Sequence, residues 1–328
     1  MRLKQMREPQ KYRFENGGPD VECCALTVSG KGRMKNIRLR KEALPLLRKI
    51  GTADAYLRRF PPGSFRGDVS HIDRAHRNAE IIAMCYMAGV TVTEGSETLP
   101  AGTGQPLFML AKGVKSDGLD SVNKTGFTRL SGVLFCGRSK YAVYNTRDRA
   151  MRWDGGRELK IREQLRADSY YGFGGAIVFC RDLRTGFQVF RQEYIKNSAL
   201  RLSGIYYSCY FFTFDPTGIA SLRMFSIPDW NDRVRKTIFP DCKLPSSSYA
   251  GPSTFYDAYD GERYWLLFAD GDFRRLQEFR RAVKSSKAAV VCVGSHTDFL
   301  CEYLNGTGIK IFQITEKQFE ASVNDLYN

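Results

Sequence analysis

Apolar and basic positions alternate along residues 33–40, placing Met34, then Ile37 and Leu39, on the inner side of a half-buried strand. The segment 22–28 also reads as a strand, and Ser29-Gly30-Lys31-Gly32 supplies the turn between the two. Residues 41–50 change to helical spacing, with Leu44, Leu46 and Leu47 apolar, Pro45 in the first turn and Gly51 at the stop. A second helix is predicted over 71–89, its buried side marked by Ile72, Ala75, Ala79, Ile82, Ala83 and Tyr86. Periodicity then fades through 91–128, a Gly-, Ser- and Thr-rich stretch with Pro100 and Pro106 that reads as a linker or long loop.

Beyond 129 the pattern is more regular. Strands are predicted over 131–136, 140–145 and 149–153, a charged helix over 157–167, and a returning strand over 175–180. The aromatic run 205–214 reads as a long strand, and 220–226 as its partner across Asp215-Pro216-Thr217-Gly218. Basic residues crowd a predicted helix over 274–284, with Phe273, Leu276 and Phe279 inward. The end of the chain reads as one βαβ unit: strand 288–293, helix 295–304, parallel strand 310–314. The expected fold class is α/β (α+β), in three parts. These are a partial winged-helix-like unit (1–90), the linker (91–128), and a mixed-sheet domain (129–328) ending in the βαβ unit.

Composition adds one strong fact. The chain of 328 residues carries 50 Lys plus Arg against 35 Asp plus Glu, a net charge of +15. Residues 1–80 hold 18 basic and 9 acidic side chains, so the surplus is concentrated in the first quarter. A polyanion-binding arm has this distribution. Nucleic acid, DNA or RNA, fits better than a membrane, because the basic segment lacks the Trp/Phe/Leu face of an interfacial anchor. No run reaches the length of a membrane span, and Met1-Arg2-Leu3-Lys4-Gln5 is too polar for a signal peptide. Nine scattered cysteines without a Cys-x-x-Cys spacing read as reduced thiols of a cytoplasmic protein.

The expected phosphate contacts are Lys31, Arg33, Lys35, Arg38, Arg40 and Lys41, joined by Arg58 and Arg59 and by Arg274, Arg275, Arg280 and Arg281 on the basic helix. Catalytic signatures are sparse. Asp148, Asp154 and Glu158 are weak candidates for a magnesium nuclease, and Glu158-Leu159-Lys160 spells an acid-x-Lys, but on a helix, where they read as surface carboxylates. His76 and Glu80 share a helical face without a third metal ligand, so no metal site and no cofactor is expected. Ser295, His296, Thr297 and Asp298 gather at a strand end, where Ser295 or Thr297 reads as a helix cap. The aromatics of 205–214 would stack bases if exposed, but a strand apolar on both faces reads as core.

The strand and helix of 31–50, and the meander, helix and strand of 132–180, resemble the replication-relaxation family carried by plasmids and conjugative elements. That resemblance implies a winged-helix DNA-binding segment joined to a degenerate restriction-nuclease-like domain of PD-(D/E)xK type. It also implies a mobile-element protein acting near DNA processing or transfer; it does not imply a hydrolase. Two departures stand beside it: residues 1–21 are too few for the helices that precede a wing, and strand 140–145 lacks the acidic pair. An alternative expectation is an inhibitor of a host defence nuclease or its guide-RNA complex, and a third is an active nuclease.

Overall fold

The computed structural model describes residues 10–12, 21–23, 26–29, 36–39, 69–93, 106–116, 129–147, 155–167, 171–191, 202–227, 230–244 and 256–327. Two compact units result, Met1–Met87 and Ala88–Asn328. Among the described residues the first contains two antiparallel pairs and a helix. Strands β1 (Gln10–Tyr12) and β2 (Val21–Cys23) form one pair. β3 (Leu26–Ser29) and β4 (Asn36–Leu39) form the other, with Thr27 opposite Arg38; the strand expected over 22–28 is thus divided between β2 and β3, and residues 30–35 of the expected turn and second strand lie outside the described residues. Helix α1 (Val69–Met87) buries Ile81, Ile82, Met84 and Cys85. The helix expected over 41–50 lies outside the described residues.

The second unit holds two mixed sheets, which places the fold in the expected mixed α/β class. The larger has six strands in chain order: β5 (Thr91–Thr93), β6 (Leu107–Leu110), β7 (Gly132–Cys136), β8 (Ser139–Arg147), β9 (Gly172–Cys180) and β10 (Cys209–Thr213). β6, β7 and β8 form an antiparallel meander, while β9 and β10 run parallel to β8. Parallel neighbours need crossovers. Helix α3 (Gly155–Ala167) joins β8 to β9, and α4 (Leu183–Arg191) with the short α5 (Leu202–Ile205) joins β9 to β10.

Meander, helix and returning strand were expected from different residues. The first strand of the meander is Leu107–Leu110, buried at every position, and helix α2 (Ala111–Ser116) follows it. Both lie inside the stretch read as linker, where four apolar residues between Gly- and Pro-rich flanks carry no periodic signal. Residues 149–153, expected as the third strand, lie outside the described residues; β8 ends at Arg147.

A second correction concerns 220–226, which is helical: α6 (Pro216–Phe225). Asp215 caps it, accepting from the Gly218 backbone at 2.9 Å, and Pro216 sits at its start. Asp-Pro-Thr-Gly is thus a helix start rather than a hairpin turn. The helix is buried on almost all sides, so its apolar run lacks the alternation that would separate helix from strand. Helix α7 (Trp230–Ile238) follows.

The smaller sheet has the order β11 (Ala258–Tyr259), β12 (Tyr264–Phe268), β13 (Ala288–Val293), β14 (Lys310–Ile314). β12, β13 and β14 are parallel, connected by α8 (Phe273–Ala282) and α9 (Thr297–Tyr303); α10 (Glu316–Tyr327) ends the fold. The predicted βαβ unit is therefore present. One core joins the two sheets. Phe187, Phe211, Phe273 and Phe299 pack ring against ring, with centroids 4.8–5.5 Å apart at Phe211–Phe273, Phe187–Phe273 and Phe187–Phe299. The aromatic strand β10 lies inside that core, as its two apolar faces imply. Among the described residues no helix is long and apolar enough to cross a membrane.

Candidate nucleic-acid interface

The basic helix α8 is held by its first turn. Asp272 caps it, accepting from the Arg274 and Arg275 backbone at 3.0 and 3.1 Å. Phe273, Leu276 and Phe279 are buried, as the spacing predicts. Arg274 lies with its guanidinium 4.5 Å from the Tyr207 ring centroid and donates to the Ser203 carbonyl. Arg275 pairs with Asp257 and, at 3.5 Å, with Asp270. Arg235 of α7 also pairs with Asp257, at 2.6 Å, and the Leu267 backbone donates to the same carboxylate.

Three buried carboxylates thus face two guanidiniums. Removal from water pushes the Asp272 carboxyl up to about 7, and the nearby Asp270 charge adds to the rise. Asp270 is raised as well, chiefly by burial, with Arg275 opposing. The pair holds a proton that isolated carboxylates would have released. Arg274 and Arg275, expected as phosphate contacts, are committed to this anchor.

The far end of α8 differs. Arg280 and Arg281 are exposed, with Arg280 lying 5.4 Å from the Tyr303 ring centroid. Lys284 and Lys287 are exposed on the short 3-10 segment Ser285–Lys287 and its approach. Lys310 is exposed at the start of β14, paired with Ala289 of β13. A Cβ on Gly308 would lie 3.7 Å from the Ser285 side chain, so these two chain segments meet. Neither 279–297 nor 303–315 contains an Asp or Glu. Five cations therefore gather at the N-terminal ends of β13 and β14, beside the β11–β12 turn that carries the exposed Asp260 and Glu262. Sequence reading named the two arginines and counted Lys284 only as the end of the basic helix; Lys287 and Lys310 went unread, Lys310 being brought in by the parallel register.

Other candidates have different positions. Lys31, Arg33, Lys35, Arg40, Lys41, Arg58, Arg59, Asp148 and Asp154 lie outside the described residues, and Arg38 lies on β4. Glu158 is not a surface carboxylate. It sits in the first turn of α3 at 1% exposure, accepting from the Arg129 backbone at 2.9 Å and from the Tyr144 hydroxyl at 2.7 Å. Tyr144 also bonds Tyr206. Burial raises the Tyr144 hydroxyl well above its ordinary value, and the charges of Tyr206 and Glu158 act in the same direction. This carboxylate ties α3 to β8 and to the chain before β7. Neither β7 nor β8 carries an Asp or Glu. Among the described residues no group of three or more His, Cys, Asp or Glu is arranged to hold a metal ion.

The β13–α9 turn also departs from expectation. Neither Ser295 nor Thr297 caps α9: its cap position is His296, with no side-chain cap bond. His296 is buried, its Nδ1 3.2 Å from the Phe268 carbonyl and its Nε2 without a partner. Burial holds the imidazole below its ordinary value, opposed by the Phe268 bond and by the charges of Asp215 and Glu316.

No family model, curated protein or solved structure matches the chain.

Proposed function

We propose that the protein is a nucleic-acid-binding accessory protein of a mobile element, acting through phosphate contacts and without hydrolysis. The observation that carries this reading is the cluster of exposed cations Arg280, Arg281, Lys284, Lys287 and Lys310, the two arginines on a helix whose first turn is locked in buried ion pairs and the lysines on the strand ends beyond it. Locked presentation suits phosphate binding, because the cations are placed before the polymer arrives. The basic hairpin β3–β4 adds Arg38, and the charge surplus of 1–80 belongs to the same chemistry. The mobile-element assignment rests on the resemblance of 31–50 and 132–180.

The test is binding of labelled duplex DNA, single-stranded DNA and structured RNA across a salt series with magnesium present. Affinity should fall steeply with salt. Arg280→Glu with Arg281→Glu should reduce the slope by about 0.9 for each lost contact on duplex DNA, or about 0.7 on single strands. Binding that is weak for every polymer and unchanged in the double variant would overturn the reading. It would point to a protein complex as the partner, the inhibitor alternative; shortening of the probe would restore the nuclease.

A further inference from the structure

The edge strand of the smaller sheet carries an aromatic surface beside the cations. Phe312 of β14 is 40% exposed, one of few large apolar side chains so placed among the described residues. Its ring lies 4.9 Å from that of Trp265 on β12, which is half-buried and whose other flank meets Phe239 at 6.1 Å. The intervening strand contributes Ala289, in register with both Trp265 and Lys310. A small residue there leaves the two rings standing above the sheet. Asp260 accepts from the Trp265 indole at 2.8 Å, fixing the edge of that ring at the β11–β12 turn, away from β14.

Alternation along β14 places Lys310 and Phe312 on the same face, about 7 Å apart along the strand. Ile311 turns the other way, against the core. A cation and an exposed ring at this spacing match a phosphate and the base of an adjacent nucleotide. Duplex nucleic acid cannot use the ring, because its bases are already stacked on one another; a single strand can.

We infer that the Trp265–Phe312 face is a base-stacking platform and that the polymer bound at the cationic surface is single-stranded. This deepens the function proposed above and depends on it. Charge complementarity selects this occupant: Lys310 lies within the face and Lys287 stands at the adjoining strand end, while the Asp260 carboxylate is engaged by the Trp265 indole at the far edge of the face.

The experiment compares a thymidine 20-mer, a uridine 20-mer and a hairpin duplex against wild type, Phe312→Ala, Phe312→Tyr and Lys310→Glu. Trp265 fluorescence is read in parallel and assigned with Trp265→Phe. Phe312→Ala should weaken single-strand binding about ten-fold while leaving the salt slope and duplex binding unchanged. Phe312→Tyr should restore it, and a single strand should quench the Trp265 signal. Lys310→Glu should reduce the salt slope instead. The two oligomers distinguish DNA from RNA. Salt-sensitive binding that is equal for duplex and single strands and indifferent to Phe312→Ala would overturn the platform while leaving phosphate binding standing. A wild-type protein that binds no polymer would remove both. Concentration-dependent self-association abolished by Phe312→Ala, without an effect on single-strand binding, would overturn it in favour of a second copy on the β14 edge.

Discussion

Replacing Asp272 by Asn isolates the cost of the buried carboxylates beneath α8. Asparagine is as good a helix cap as aspartate, so the bonds from the Arg274 and Arg275 backbone survive. What changes is the charge. In wild type at high pH, Asp257, Asp270 and Asp272 oppose Arg235 and Arg275; in the variant two carboxylates oppose two guanidiniums. The Asp272 carboxyl is raised from its ordinary 3.8 to about 7. A raised value means that the folded protein binds a proton that the unfolded chain has lost. Stability is then fully present below pH 3.8, declines as pH rises toward 7, and is level above that. About three pH units at about 1.4 kcal/mol each give about 4 kcal/mol at pH 8, a cost that Asp272 shares with Asp270. Urea unfolding of both proteins at pH 5, 6, 7 and 8 checks this. Asp272→Asn should gain on wild type at each step up to pH 7 and hold its advantage at pH 8. Parallel pH profiles, or a variant less stable at pH 8, would refute the shared-proton account of the cluster.

Glu158→Ala removes the acceptor of the Tyr144 hydroxyl and the Arg129 backbone and should cost about 1–3 kcal/mol for each group left unsatisfied, with Glu158→Gln costing less; thermal unfolding reads both. Gly271 has φ +64°, and a Cβ there would lie 2.2 Å from the Phe211 carbonyl oxygen. Gly271→Ala should therefore destabilise by about 3 kcal/mol or more, measured by urea titration. His296 is kept neutral by burial, so the unfolded chain binds a proton the folded one refuses, and stability should fall as pH drops below about 6.5. Because Asp272 slopes the other way over the same range, that acid limb is best measured in the Asp272→Asn protein, where His296→Gln should flatten it.

Legibility followed the kind of pattern each element carries. β13 is a continuous apolar run and α8 an amphipathic helix; both were readable because burial on two faces and burial on one face leave different spacings. β6 and α6 were not, since four buried residues, or a helix buried on almost all sides, leave no contrast between sides. Charge on α8 was visible, but its division was not. Arg274 and Arg275 become an anchor through Tyr207, Asp257 and Asp270, residues up to 67 positions away that no local pattern connects to them. Glu158 was misplaced for the same reason: the partner that buries it, Tyr144, lies on a strand across the crossover. Phe312 went unread because its exposure depends on β14 being an edge, which is a property of topology rather than of sequence.

The contact between β10 and the loop after β12 has a consequence for how the chain unfolds. The Phe211 backbone donates to the Asp270 carbonyl at 3.2 Å, Ser221 donates to the Ala269 carbonyl, and Gly271 is packed against Phe211. The outer strand of one sheet is thereby tied to the other sheet by backbone as well as by rings. Neither sheet can open there without exposing part of the other's core, so Ala88–Asn328 should melt as one cooperative block, its amides in β9, β10, β12 and β13 exchanging with solvent at a common slow rate.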